Sequence, residues 1–433
     1  MQYFSTQQQS PPVDFRQATI NGQAPDKGLY FPQSIPSLPE QMMRGIDRLS
    51  REEIALEVIR PYVGNTIPEE VLQQIVSETV AFDFPLVEVN NRISALELFH
   101  GPTLAFKDVG ARFMSRCLGY FVQHNRQKVT VLVATSGDTG GAVAAGFYGV
   151  DGVEVVILYP AGKVSSVQEL QLTTLGSNIT ALEVSGNFDD CQHLVKQAFA
   201  DRDLSSRVFL TSANSINVAR WLPQQFYYFF AWQQWAAKNN PPVISVPSGN
   251  FGNICAGLLA HASGLPVQHF IAACNANDVV PAYLLSGQYQ PKPAVATISN
   301  AMDVGNPSNF IRIMHIFQQQ LSSLREKMSS DSVPDAVTRQ TIANVYAQNG
   351  YLLDPHGAVA YHSLQNYLQQ HPGQGGYFLG TAHPVKFYDV VEPVIGRPVA
   401  IPASIQELMH KRKQSIRMGV SYTELKDFLL AGK

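Results

Sequence analysis

The chain has 433 residues, 45% of them hydrophobic and only 15% charged, with a formal net charge of −3. That length predicts roughly two or three domains and a core large enough to need neither disulfides nor a structural metal. The near-neutral balance lacks the basic field that a nucleic acid or an anionic membrane would call for, and no apolar run approaches the roughly 18 residues of a membrane span.

Taken in chain order, the N-terminal stretch MQYFSTQQQSPPVDF has neither a basic head nor an apolar core, so no secretory signal is expected. Residues 1–88 read as a mostly helical unit. After a turn at 36–40, helical periodicity runs through REEIALEVIRPYVG (51–64) and PEEVLQQIVSETVAF (68–82). No constellation of chemical groups occurs there, which marks a structural cap. The pattern changes at residue 89. The stretch LFHGPTLAFKDVGARF (98–113) sets one lysine, Lys107, between Phe106 and Asp108 after a Gly-Pro turn. Most lysines in such positions do no more than reach solvent at a helix start.

Further along, KVTVLVAT (128–135) is a buried-strand run followed by SGDTGG and a small-residue helix. VEVVILYP (153–160) is a second such run, and SSVQELQLTTLG (165–176) a helix opening on Ser165 or Ser166, with Glu169 near the capping-box position. ITALEVSG, FDDCQHLVKQAFAD, VISVPSGNFG and HFIAACN repeat the cycle. Strands alternating with helices predict parallel sheet covered on both faces, a fold of the α/β class. The region 89–393 reads as this catalytic core and 394–433 as a helical tail. The four cysteines, Cys117, Cys191, Cys255 and Cys274, form no C-x-x-C pair, so no metal site is expected and a reducing cytoplasm suits the chain.

In parallel sheets ligands bind on the loops after the strands. Ser248 to Asn253 (SGNFGN) lies between a strand and ICAGLLAHASG. Its glycines Gly249 and Gly252 let successive N–H groups, with the helix N-terminus, converge on an anion without a lysine or arginine. It carries neither the Walker spacing nor the G-x-G-x-x-G of dinucleotide folds. Ser136 to Gly141 offers similar geometry with hydroxyls on Ser136 and Thr139. Either loop read alone is also an ordinary strand-to-helix turn. SANSINVAR (212–220) brings Ser215, Asn217 and Arg220 within one short stretch, a set suited to a second anion or to a capped helix. Thr381 and His383 follow the strand GYFLG, where a lone histidine is more often structural. A desolvated lysine that reacts with an aldehyde, together with a neutral phosphate cradle, meets the needs of pyridoxal phosphate.

Six motifs in order, KGLYFP (27–32), HGPTLAFKD, ATSGDTGGAV, SANSINVAR, PSGNFGN and GTAHP, resemble those of the threonine synthase family, and HGPTLAFKD is close to diagnostic. The resemblance covers nearly the whole chain. It implies a tryptophan-synthase-β-like fold (fold type II) of two α/β subdomains with pyridoxal 5′-phosphate between them, and O-phospho-L-homoserine as a small-molecule substrate that yields L-threonine and phosphate. It further implies that Lys107 carries the cofactor as a Schiff base and that Gly249, Asn250, Phe251, Gly252 and Asn253 cradle its phosphate. Thr381 would face its ring nitrogen, and Ser136, Thr139, Ser215, Asn217 and Arg220 would hold the substrate's phosphate. Asp138 stands where related enzymes often have an Asn beside the cofactor hydroxyl, and its role is left open, as is the choice between monomer and homodimer. A threonine dehydratase or an O-acetylserine sulfhydrylase would not need SANSINVAR for a substrate phosphate, and a binding protein with a degenerate site would not need an intact Lys107.

Overall fold

Buried apolar runs of the kind seen at 129–134, where all six residues of Val129–Ala134 are buried, form strands that must be covered on both faces. In the computed structural model, which describes residues 1–123 and 128–431, these runs divide between two sheets. The five-stranded sheet runs in the order Ile416–Met418, Ile179–Val184, Val153–Pro160, Val129–Ala134, Phe209–Thr211, with every neighbouring pair parallel. The six-stranded sheet runs Met328–Ser332, His269–Cys274, Val243–Pro247, Gly376–Gly380, Ile93–Glu97, Leu86–Asn90. It is parallel except for the last pair, a hairpin with an irregularity between Glu88 and Asn90. The helix Lys107–Val122 leaves the six-stranded sheet after Ile93–Glu97 and leads into the five-stranded one at Val129–Ala134.

The N-terminal unit is helical at Glu40–Gly45, Arg51–Val63 and Glu69–Thr79, as the periodicity predicts. It also contains a three-stranded antiparallel sheet, Val13–Asp14, Gln2–Ser5 and Tyr30–Pro32, which the short strands did not reveal in sequence. KGLYFP ends in the Tyr30–Pro32 strand, whose three residues are buried.

Two details differ from the sequence reading. The helix Ser166–Thr173 is capped by Ser165, and its reciprocal partner is Gln168 rather than Glu169, because the third helical position lies at 168. The tail beyond 394 is not purely helical. Between the helices Ala403–Met409 and Tyr422–Ala431, the strand Ile416–Met418 pairs with Ile179–Val184 and extends the five-stranded sheet. Among the described residues no helix is long and apolar enough to cross a membrane.

Candidate active site

The strands Val243–Pro247, Gly376–Gly380 and Ile93–Glu97 are parallel neighbours, so the loops that follow them, from 248, 381 and 98 onward, emerge at one end of the sheet. An antiparallel bridge between Ala105 and Ala382 fastens two of these loops together. Around it the Phe106 N–H donates to the Thr381 carbonyl at 2.9 Å and the His383 N–H to the Leu104 carbonyl at 3.1 Å. Leu104 is held at φ +57°, a left-handed conformation that a non-glycine residue adopts at a cost of about 1–3 kcal/mol and that is concentrated at functional sites. Asp108 secures the preceding turn, accepting from the Thr103 N–H at 2.9 Å and the Thr103 hydroxyl at 2.6 Å.

Lys107 is the first residue of the helix Lys107–Val122. It retains some solvent access, and its Nζ lies 5.7 Å from the centre of the Phe106 ring. Among the described residues no carboxylate oxygen comes within 4.0 Å of that nitrogen. Desolvation pulls its pKa down to about 8, opposed by Asp138 and assisted by Arg220 and Lys386. A lysine in that range is partly neutral near pH 7 and can act as nucleophile or base.

The second loop, 248–253, curls into the helix Gly252–Ala262, with Phe251 at φ +60°. Gly249 packs against backbone. A Cβ there would lie 2.6 Å from Met302 Cα and 3.0 Å from the Ala301 oxygen, so only glycine fits. Ala301 is held in turn by His356, whose Nε2 accepts from the Ala301 N–H at 3.2 Å while Nδ1 lies 2.7 Å from the Asp354 carboxylate. From Gly249 to Asn253, none of the five consecutive backbone N–H groups donates to a protein acceptor among the described residues. The Asn253 side chain caps its own turn, accepting from Ile254 N–H and donating to the Pro247 oxygen. Buried donors without acceptors are costly unless a ligand supplies them, and this set fits a phosphate.

Arg220, in the short helix Val218–Trp221, is only 4% exposed. Its Nη1 donates to the Ala213 carbonyl at 2.9 Å, and its Nε has no partner among the described residues. Burial lowers its pKa to about 10, with Asp108 opposing. Gly110 permits this approach, since a Cβ there would lie 2.5 Å from the Arg220 carbonyl oxygen and 3.2 Å from Nε. Ser136 and Thr139 are half-buried at the start of the helix Asp138–Phe147, and their hydroxyls have no hydrogen-bond partner among the described residues.

The five residues expected around a substrate phosphate do not behave alike. Ser215 lies on the cradle instead, its hydroxyl accepting from Asn250 Nδ2 at 3.3 Å and Asn309 Nδ2 at 3.1 Å. Asn217 is engaged within the protein. It is fully buried and its capacity is spent on structure, since Nδ2 donates to the Thr19 and Ser212 carbonyls and Oδ1 caps the Val218 helix at Ala219. Both of its N–H donors are used within the protein. Thr381 is buried beside the bridge, and its hydroxyl has no hydrogen-bond partner among the described residues. The Nδ1 of His383 accepts from the Val385 N–H, the structural role expected of it.

Two residues escaped the sequence reading. Lys386, fully buried in the turn Pro384–Phe387, lies 2.7 Å from Asp138. Burial works against the Asp138 charge, but Lys386, Lys107 and the Gln168 amide outweigh it and hold the carboxyl well below the usual range. The signal was present, because HPVKFY sets a lysine in an apolar aromatic run after a strand, as LAFKD does. Arg312, also fully buried, donates to the carbonyls of Tyr30, Ser215 and Ile216 and to the Asn309 side chain. It thereby ties the N-terminal sheet to the cradle.

Residues 84–384 match the family described as pyridoxal-phosphate dependent enzyme, residues 2–80 the threonine synthase N terminus, and residues 357–429 the threonine synthase C-terminal family. The chain is 44% identical over 434 residues to a threonine synthase of Serratia marcescens, covering 99% of each. The crystal structure of threonine synthase from Escherichia coli superposes with a TM-score of 0.93 at 42% identity, over 100% of both chains. A PLP-bound threonine synthase from Brucella melitensis does so with a TM-score of 0.92 at 35% identity, over 100% of this chain and 99% of that one.

Proposed function

The chain belongs to the threonine synthase family of pyridoxal-phosphate-dependent enzymes, and from that premise we propose that it converts O-phospho-L-homoserine and water into L-threonine and inorganic phosphate. The observation that carries this reading is the presence of two separate anion-ready sites around one lysine. One is the unpaired N–H row of 249–253, and the other the buried, partly unpaired Arg220 with the free hydroxyls of Ser136 and Thr139. A reaction at Cβ alone needs only the first; loss of phosphate from Cγ of an amino acid needs both.

In this reading Gly249, Asn250, Phe251, Gly252 and Asn253 hold the cofactor phosphate, with Ser215 bracing Asn250 and Arg312 bracing Ser215. Thr381 offers its hydroxyl to the cofactor ring. When bound, pyridoxal phosphate supplies an electron sink that lets a proton leave Cα and phosphate leave Cγ. Lys107 would hold the cofactor and, as a free amine, would take the proton from Cα and return protons along the substrate's carbon chain. An amine of pKa about 8 suits both directions near neutral pH. Arg220, Ser136 and Thr139 hold the substrate phosphate and neutralise charge on it as it leaves. Water adds at Cβ. The four cysteines are free and buried, which supports a reducing cytoplasm as its place of work.

The experiment is product analysis with O-phospho-L-homoserine, following phosphate and threonine together. Stoichiometric release of both, lost in Lys107→Ala, is expected. Phosphate without threonine, or turnover retained in Lys107→Ala, would refute the reading.

A further inference from the structure

The Asp138–Lys386 pair crosses between the two sheets. Asp138 opens a helix of the five-stranded sheet, and Lys386 follows the Gly376–Gly380 strand of the six-stranded one. Among the described residues it is the one lysine or arginine ion pair buried on both sides, at 0% and 4% side-chain exposure. Lys386 Nζ also donates to the Thr103 carbonyl at 2.8 Å, while Asp138 Oδ1 also accepts from Gln168 Nε2 at 3.0 Å. Gln171, one turn further along the same helix, donates to the same Thr103 carbonyl at 3.0 Å. A buried pair of this kind contributes little net stability, so its value lies in what it positions.

Lys107 is faced by Asp138 from the Asp138 helix, by Arg220 from the Val218 helix and by Lys386 from the 384–387 turn. The other charged or titratable groups close to Lys386 are Asp108, engaged by Thr103, and His383, engaged by Val385. Asp138 is thus the one carboxylate that could pair with Lys107 in place of Lys386. We propose that Lys386 is a positioning residue for Lys107. By holding Asp138 in a cross-sheet ion pair it withholds that carboxylate from the Lys107 amine and seats the Ser136–Thr139 loop against the opposite sheet. The inference rests on Lys107 being the cofactor-binding lysine.

Opposite substitutions at the two ends of the pair give opposite shifts, which a merely structural role would not. The full chain is freed of cofactor, and its covalent capture of pyridoxal phosphate is followed by absorbance against pH. The neutral amine is the reacting form, so capture by the parent rises with pH through a midpoint of about 8. Lys386→Met leaves Asp138 with Lys107 as its remaining cation. The midpoint should rise by about one pH unit, and capture at pH 7 should slow about tenfold. Asp138→Asn leaves Lys386 unneutralised beside Lys107, and the midpoint should fall. The double variant should return toward the parent. A folded Lys386→Met with the parent's midpoint overturns the inference. If that variant does not fold, an unmoved midpoint in Asp138→Asn overturns it instead. Capture that survives Lys107→Ala overturns this inference and the proposed function together, whereas capture through Lys107 with unmoved midpoints overturns the inference alone.

Discussion

Arg220 makes a demand on the structure whose sign can be worked out. Its guanidinium is buried, has one hydrogen bond to Ala213, leaves Nε unpaired and has no carboxylate in salt-bridge range among the described residues. Burial pulls the pKa from its ordinary 12.5 to about 10. Because the folded value lies below the unfolded one, the charged side chain costs stability at every pH below about 10. Near neutrality the cost is on the order of 3 kcal/mol. Replacing Arg220 by Met removes that charge and gives up one hydrogen bond worth about 1 kcal/mol. The chain should therefore melt no lower than the parent.

Binding should move the other way. A charge-assisted bond to a phosphate is worth about 1.5–3 kcal/mol, so KM for O-phospho-L-homoserine should rise roughly tenfold to a hundredfold. The assay combines thermal melts of the cofactor-loaded chain, with and without inorganic phosphate, with steady-state kinetics. Phosphate should raise the parent's melting temperature more than the variant's. A variant that is several kcal/mol less stable but binds substrate as before would refute the reasoning, and would make Arg220 a strut for the 212–217 loop.

Gly249→Ala would drive a Cβ to 2.6 Å from Met302 Cα, where only backbone could yield. Overpacking of this kind costs about 1–3 kcal/mol, so a cofactor dissociation constant raised about tenfold or more is expected in a spectrophotometric titration, and an unchanged one would remove the cradle from this loop. Thr381→Val deletes a hydroxyl that has no hydrogen-bond partner among the described residues. The melt of the cofactor-free chain should stay level while cofactor affinity falls about twofold to tenfold; Thr381→Ser should bind as the parent does, and loss of binding in Thr381→Ser would show that the methyl group matters instead.

What could be read from the sequence was whatever is local. Val129–Ala134, followed by glycines and a small-residue helix, declares a strand, the glycine loop after it and the sheet class within twenty residues, and the same holds for Val243–Pro247 and the loop that follows it. Residue type alone could not separate Asn217 from Ser136. Both are polar residues in short loops before helices, and only the positions of Thr19, Ser212 and Ala219 show that the amide of Asn217 is already committed. Nor could it separate Ser215, turned onto the cradle by Asn309, from the residues around Arg220. The same limit explains Asp138. An acidic residue in a glycine loop before a helix has many uses, and what decides among them is a lysine delivered by the neighbouring sheet. The nitrogen of Lys107 is legible as a special lysine from LAFKD, but its basicity is not. That property depends first on burial and then on Asp138, Arg220 and Lys386, three groups on separate elements, held within reach of one another by glycine at 110, the 105–382 bridge and the cross-sheet pair. Sequence motifs thus carry the kind of side chain, and the burial and neighbours that two sheets bring to one lysine lower its basicity.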